Sequence, residues 1–195
     1  MTIRNKPTIE EMTKCYDKHK NLKLAAKELG MVWQTLYWNL NKEGHAVTGD
    51  KSRYGSLTDK MARYGEELFK SLVPHAIDSN DTTFQAKVDF NVNGIPVDVK
   101  CSTKKDGYKS NPNKNTSYRW AFSTKVQEDY AEYLVLFCME GFDASDYGDV
   151  EKILLIPKEF FKNKQSLSVS CIKSKWFDFE VSKEQLQEFF ELIEN

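Results

Sequence analysis

The chain has 195 residues, of which 40% are hydrophobic and 29% are charged, and its formal net charge is −1. This composition supports a packed core and excludes wholly disordered, collagen-like and low-complexity chains, while the length predicts one ordinary domain or a small domain beside a larger one. Four cysteines without a CxxC pair, and only three histidines, argue against a zinc knuckle and favour free thiols in a reducing cytosol.

The first 47 residues predict a small helical domain. Thr8 and Glu11 form a capping box at the start of its first helix, and Gly30 ends its second. The three predicted helices cover residues 9–19, 22–29 and 33–42. Residues 48–56 are polar and contain glycine, so we interpret them as a basic linker.

Residues 57–195 predict a mixed α/β domain. A helix covers residues 57–73, and a last amphipathic helix begins after Ser182, which forms a capping box with Gln185. Residues 133–139 (YLVLFCM) are a continuous apolar run, typical of a central strand that is buried on both faces. Further strands are predicted at residues 83–92, 95–102, 118–123, 153–157 and 167–171.

No run of about 18 apolar residues predicts a membrane span, and the first residues lack the apolar stretch of a secretory signal. The expectation is a cytoplasmic protein of a bacterial or phage-infected cell, with no membrane partner.

The charges are uneven, because residues 1–56 carry ten basic and six acidic side chains, and residues 100–125 carry seven basic and one acidic. Two such segments favour a phosphate-binding surface, although solvated surface lysines explain them equally well.

Within the helical domain, residues 24–40 carry the pattern of a helix-turn-helix. Small residues in the first helix let the second cross it closely, a glycine makes the turn, and apolar residues hold the second helix in place. These positions are Ala25, Ala26, Leu29, Gly30, Met31, Leu36 and Leu40. The pattern resembles the helix-turn-helix of resolvases, recombinases and many repressors. By that resemblance, the positions that face the bases are Val32, Trp33, Gln34, Tyr37 and Trp38.

The second helix of this motif predicts a DNA contact. Gln34 has the amide that pairs with adenine, and Tyr37 has a hydroxyl group that reaches a phosphate. Val32 departs from the pattern, since a capping serine is usual there. The alternative is an ordinary three-helix packing unit in which Trp33 and Trp38 lie in the core.

Basic residues outside the helical domain extend the predicted DNA-contacting surface. Residues 102–117 form a long polar stretch, and loops of that length are usually functional or disordered. The alternative for this stretch is a flexible surface excursion. The candidate contacts, in the linker and in and beside the long stretch, are Lys51, Arg53, Lys104, Lys105, Lys109, Lys114 and Arg119.

The candidate chemistry lies in residues 87–102, KVDFNVNGIPVDVKCS. Asn-Gly between two alternating runs predicts a hairpin with a two-residue type I′ turn. That turn sets a register in which Asp89 faces Asp98 at a non-hydrogen-bonded pair, with Cα atoms about 4.5 Å apart. The pairs closer to the turn are Val92–Ile95, Asn91–Pro96 and Phe90–Val97.

Two carboxylates at that distance repel each other and destabilise the sheet, whereas a divalent cation between them reverses the sign of the interaction. Mg²⁺ suits this role because it takes carboxylates, waters and substrate phosphate as ligands. Lys100 projects from the same face as Asp98, two residues along the strand. The alternative is a solvated hairpin face of mixed charge, with Lys87 opposite Lys100.

These residues resemble the signature of the PD-(D/E)xK nuclease superfamily. Asp89 matches the strand acid and Asp98-Val99-Lys100 matches the acid-x-Lys, although Val88 replaces the family's proline and the spacing between the two acids is short. The resemblance implies that Mg²⁺, for which Mn²⁺ substitutes, is bound by the two aspartates and the Val99 backbone carbonyl, and that Lys100 positions or activates water. It also implies an acid from the preceding helix, for which Glu66 is preferred and Glu67 is the second choice.

The resemblance implies a restriction-endonuclease-like α/β core, a mixed central sheet flanked by helices, behind a helix-turn-helix domain. The implied activity is sequence-specific cleavage of double-stranded DNA, of restriction or homing type, by a homodimer without an organic cofactor. Three alternatives stay open. A junction resolvase would use the same core on branched DNA, a recombination-associated nuclease would act with partners, and a DNA-binding regulator would carry an inactive core.

Overall fold

A computed structural model describes residues 6–47, 55–81, 86–106, 118–124, 130–143 and 145–193. The chain divides into two compact units. One comprises Met1–Gly55 with Asn80–Gln85, and the other comprises Ser56–Ser79 with Ala86–Asn195. Among the described residues, no helix combines the length and the apolar character needed to cross a bilayer.

The described residues of the first unit form three helices, α1 (Ile9–His19), α2 (Leu22–Leu29) and α3 (Trp33–Lys42), whose predicted bounds are confirmed. The predicted capping box of Thr8 and Glu11 is present at the start of α1. Gly30 ends α2 with a φ of +67°, a conformation that glycine adopts without a steric penalty. The core of the unit consists of Met12, Cys15, Tyr16, Ala25, Ala26, Leu36, Leu40 and Val47.

The described residues of the second unit form a six-stranded mixed sheet, a three-stranded antiparallel sheet and three helices, which confirms the predicted α/β class. The helices are α4 (Leu57–Leu72), α5 (Lys158–Phe161) and α6 (Lys183–Leu192). A short 3₁₀ helix covers Lys175–Phe179, and another covers Ser79–Asp81, of which only Ser79 belongs to this unit. The strands are β1 (Ile77–Asp78), β2 (Phe90–Val92), β3 (Ile95–Ser102), β4 (Lys105–Asp106), β5 (Tyr118–Ser123), β6 (Tyr133–Met139), β7 (Val150–Pro157), β8 (Ser166–Ser170) and β9 (Glu180–Val181).

The larger sheet has the strand order β1-β2-β3-β6-β7-β9, and the smaller has the order β4-β5-β8. β3 and β6 are parallel, while the other neighbours are antiparallel. Parallel neighbours need a crossover connection, and here the chain passes through β4 and β5 before it returns as β6. β6 is buried along nearly its whole length, as the apolar run predicts.

The two faces of the larger sheet carry separate cores. On one face, α4 and α6 cover Val97 and Val99 of β3, together with alternate residues of β6 and β7. On the other face, β5 and β8 of the smaller sheet cover Leu134 and Leu136 of β6. Glycine lets α4 approach β3 closely, because a Cβ atom at Gly65 would lie 2.8 Å from Cβ of Cys101.

Some predicted bounds in this unit were wrong. Of the strand expected over residues 83–92, the described part is Phe90–Val92, since residues 86–89 are not in a strand and residues 82–85 lie outside the described part of the chain. β7 begins three residues before the predicted Ile153, and β8 begins one residue before the predicted Leu167. The two-residue strands β1, β4 and β9 and the four-residue α5 were missed, since so few residues carry no periodicity.

Candidate active site

The hairpin at the centre of the site has the predicted turn and register. Asn93 and Gly94 have φ values of +52° and +87°, as a type I′ turn requires. The pairs Phe90–Val97, Asn91–Pro96 and Val92–Ile95 are all present. Within the turn, the Gly94 N–H donates to Oδ1 of Asn91 at 2.8 Å.

The predicted ladder pair of Asp89 with Asp98 is not formed, because the pairing of β2 with β3 ends at Phe90 and Val97. Asp89 lies just outside β2, and its side chain takes the place of the missing backbone partner. Its Oδ2 accepts a hydrogen bond from the Val99 N–H at 2.8 Å. The carbonyl of Asp89 accepts a second hydrogen bond, from the Ser79 N–H at 2.9 Å. The carboxylate is therefore held beside β3 by main-chain contacts.

Asp98 and Lys100 form an ion pair on one face of β3. The Nζ atom of Lys100 lies 2.7 Å from Oδ2 of Asp98, which confirms that the two side chains share a face. Their ladder partners on β6 are Leu134 and Leu136, so the pair lies on the face that the smaller sheet covers. Asp98 is only 2% exposed. The Asp98 carboxylate is thus removed from water, and Lys100 is the cation that compensates its charge.

The two aspartates interact although they are not ladder partners. Burial first, and then the charge of Asp98, raise the pKa of the Asp89 carboxyl group to about 7, against which the Val99 N–H and Lys100 act to lower it. Part of the Asp89 surface stays accessible, but its carboxylate is turned into the protein towards Val99. The charge of Asp98 thus disfavours the ionised form of Asp89, although the predicted ladder pair is absent. A cation between the two carboxylates would oppose this effect.

This raised pKa predicts an unusual dependence of stability on pH. Between about pH 4 and pH 7, folded Asp89 binds more protons than unfolded Asp89, so its contribution to the free energy of unfolding falls as the pH rises. The slope from one such group is at most about 1.4 kcal/mol per pH unit. We expect Asp89→Asn to remove this slope in urea unfolding of the metal-free protein across that range. The exposed Asp106→Asn is the control, and an unchanged slope in Asp89→Asn would contradict the assignment.

The helix acid Glu66 is buried, whereas the second choice, Glu67, is exposed. Arg63 contacts both, with its Nη1 3.2 Å from Oε2 of Glu66 and its Nε 3.1 Å from Oε1 of Glu67. Nη1 of the same arginine lies 3.5 Å from Oδ2 of Asp78 in β1, the strand at the edge of the sheet.

The helix that carries Glu66, α4, does not pack on the sheet face that carries Asp98 and Lys100. The helix packs on the face of β3 that carries Val97 and Val99, while Asp98 and Lys100 lie on the opposite face. Arg63 links Glu66 to the edge of the sheet at Asp78. A role for Glu66 beside the two aspartates stays a prediction. Sequence reasoning missed Arg63, although its spacing of three and four residues from the two glutamates is a visible signal.

The first unit presents the aromatic residues of α3 to solvent. Trp33 is 41% exposed and Trp38 is 61% exposed, so the alternative in which both lie in the core was wrong. Gln34 is exposed and Tyr37 is half-buried. Lys42 lies over the ring of Trp38, with Nζ 5.3 Å from the ring centroid. As the sequence predicts, Val32 begins α3 without a side-chain cap.

The basic candidates of the second unit differ in their surroundings. Lys104 forms an ion pair with Glu151, so its charge is already compensated. Lys105 and Arg119 are exposed and directly opposite each other in the pair of β4 and β5. Like charges in that position repel, and an anion between them reverses the interaction. The other candidates, Lys51, Arg53, Lys109 and Lys114, lie outside the described residues.

Comparison with protein-family models, with curated proteins and with solved structures found no match for this chain.

Proposed function

We propose that this protein is a Mg²⁺-dependent endonuclease that hydrolyses phosphodiester bonds of double-stranded DNA, with a core of the PD-(D/E)xK type. The observation that carries the proposal is the cluster of Asp89, Asp98 and Lys100 on and beside β3. The charge of buried Asp98 raises the pKa of Asp89, and the ammonium group of Lys100 partly compensates the two acids. Such an arrangement costs stability without a ligand, and clustered groups with perturbed pKa values mark functional sites more often than structural ones.

The residues present fit a magnesium ion. Carboxylate and carbonyl oxygens are the ligands that Mg²⁺ prefers, and Asp89 and Asp98 supply two carboxylates. In an extended strand, the N–H and C=O groups of one residue point to the same neighbour. Because the Val99 N–H donates to Asp89, the Val99 carbonyl points to the same side and is suited as a third ligand. Glu66 would be a third acid, and a fourth ligand, near the edge of the sheet.

The chemistry divides among these residues. When bound, Mg²⁺ lowers the pKa of a coordinated water and neutralises charge on the scissile phosphate. Asp89 and Asp98 would hold the ion, and the Val99 N–H keeps the Asp89 carboxylate oriented. Lys100 is kept beside Asp98 by their ion pair. From that position its ammonium group would orient the attacking water and stabilise negative charge on the phosphate.

Sequence recognition would come from the first unit. α3 presents Gln34, with a side-chain amide that matches the edge of adenine, next to exposed Trp33 and Trp38. Two large aromatic side chains in water are unfavourable without a partner, and DNA offers one. The basic pair Lys105 and Arg119 would add a contact to the phosphate backbone. Because one active site cuts one strand, cleavage of both strands favours a homodimer.

Incubation of purified protein with plasmid and genomic DNA tests the proposal. We expect Mg²⁺ or Mn²⁺ to support cleavage and EDTA to prevent it, and sequencing the ends of genomic fragments should return one recurrent target. Cleavage of four-way junctions alone would instead identify a junction resolvase. Binding to a defined sequence without any cleavage would identify a regulator with an inactive core.

A further inference from the structure

The three-helix unit brings a thiol, an imidazole and a carboxylate together. Cys15 and His19 stand four residues apart on α1, so they project from one face of that helix. Glu28 on α2 faces them, and its Oε2 lies 2.6 Å from Nε2 of His19. The possible ligand atoms of the three side chains all lie within 4.8 Å of one another.

We propose that Cys15, His19 and Glu28 bind a zinc ion, which joins α1 to α2. Zn²⁺ accepts thiolate sulfur, imidazole nitrogen and carboxylate oxygen as ligands, usually in tetrahedral geometry. Mg²⁺ and Ca²⁺ require oxygen ligands, so the donor set selects against them. Spacing of four residues on a helix is also the spacing at which two side chains of one helix hold the same zinc ion.

The Cys15 thiol would have to lose its proton. It is buried in the core of the unit, and it donates a weak hydrogen bond to the carbonyl of Ala25 at 3.6 Å. On binding, the S–H bond breaks, a zinc–sulfur bond forms, and the proton leaves to solvent. Burial raises the pKa of this thiol, so the thiolate is unfavourable without a cation. Bound zinc supplies that cation, and its affinity should therefore rise with pH.

The Glu28 carboxylate is already ionised and close to its prospective neighbours. Hydrogen bonds from His19 first, and then from Lys18, lower the pKa of this carboxyl group. The Nζ atom of Lys18 lies 2.9 Å from the Glu28 carboxylate, but the lysine side chain is 63% exposed. Exposed ion pairs contribute little to stability, so the ion can displace Lys18 into water at small cost.

Three protein ligands leave a fourth tetrahedral position for water or an outside ligand. The partly exposed His19 and Glu28 form the side of the cluster that solvent reaches. A zinc ion here would stabilise the folded three-helix unit, because unfolding separates α1 from α2 and destroys the site. The site is built from residues of the first unit only, and it is independent of the proposed nuclease activity.

Titration of the metal-free full-length protein with Co²⁺ tests the site, since a bound thiolate gives cobalt a characteristic charge-transfer absorption. We expect one equivalent to produce this band and Zn²⁺ to abolish it by displacement. Cys15→Ser should remove the band, and His19→Asn and Glu28→Gln should weaken binding by about tenfold or more. Excess Zn²⁺ should raise the Tm of the unaltered protein by about 5 °C, and the Tm of the three variants much less.

Cys171→Ser is the matched control, because Cys171 is a half-buried cysteine of the second unit. Its band and its Tm shift should equal those of the unaltered protein. No charge-transfer band, or a band that survives in Cys15→Ser, would overturn the proposal. If Cys15→Ser proves unfolded by circular dichroism, His19→Asn decides the question. Magnesium-site binding at Asp89 and Asp98 is distinguishable, because those ligands contain no sulfur.

Discussion

Asp98→Asn is expected to lower the rate of Mg²⁺-dependent DNA cleavage by about 10³-fold or more, while DNA affinity stays within about threefold. Asp98 is nearly inaccessible, its charge raises the pKa of Asp89, and it forms an ion pair with Lys100. Asparagine keeps the shape of the side chain and removes its charge. The metal would lose an anionic ligand, and Lys100 would lose the partner that positions it.

Single-turnover cleavage of plasmid DNA measures the rate, and binding in the presence of Ca²⁺ measures affinity without turnover. Asp106→Asn is the control, because it removes the same charge from an exposed position on β4. Circular dichroism should show both variants folded, since Asp98→Asn also relieves the repulsion from Asp89. Cleavage within about tenfold of the unaltered rate would exclude Asp98 as a metal ligand.

Lys100 offers an internal comparison for the same experiment. Its ammonium group lies on the surface of the cluster rather than beneath it, being partly exposed where Asp98 is buried. Loss of the lysine should lower the rate without changing the Mg²⁺ concentration that gives half-maximal cleavage. Loss of Asp98 should lower the rate and also change the Mg²⁺ concentration that gives half-maximal cleavage. The two substitutions therefore separate the residue that binds the ion from the residue that acts on water.

The hairpin was predictable from the sequence because its signals are local. Asn93 and Gly94 dictate the turn, and the turn determines the register of the three adjoining pairs. The same argument failed for Asp89 and Asp98, which are not ladder partners. Extending the ladder to them assumes that β2 includes Asp89, but β2 begins only at Phe90. The Asp89 side chain nevertheless reaches β3, because it replaces the backbone as acceptor for the Val99 N–H.

The position of Glu66 shows a second limit of sequence reasoning. Helical periodicity places this glutamate at the edge of the buried stripe of α4, and the structure buries it while Glu67 stays in solvent. Periodicity says nothing about which face of the sheet a helix covers. That choice depends on long-range packing, here on the close approach of Gly65 to Cys101. The three-dimensional packing places α4 and Asp98 on opposite faces of the sheet.

Helix start and stop signals predicted the first unit better. The capping box of Thr8 and Glu11 and the stop at Gly30 are local signals, and α1, α2 and α3 have their predicted bounds. The cluster of Cys15, His19 and Glu28 was missed, because its third member comes from another helix. Cysteine and histidine spaced by four residues on one helix was the part of the signal visible in the sequence.

Removal of residues 1–47 is expected to reduce the ratio of specific to non-specific DNA affinity by about 10³-fold or more. These residues contain the described core of the helical unit and the exposed side chains of α3. Asp89, Asp98 and Lys100 belong to the second unit, with cores of its own on both faces of its sheet. The shortened chain should therefore still cut DNA in Mg²⁺, but at sites that no longer share a sequence.

Point variants of the full chain distinguish sequence recognition from simple charge attraction. Gln34→Ala should lower affinity for the target about tenfold or more and leave non-specific affinity nearly unchanged, because an amide that reads a base carries sequence information. Lys27→Ala, an exposed charge on α2, should weaken target and random DNA equally and reduce the salt dependence of both. Competition binding between the target and random duplexes measures each ratio. If the shortened chain and Gln34→Ala both keep the original site preference, α3 does not read DNA and the specificity belongs to the second unit.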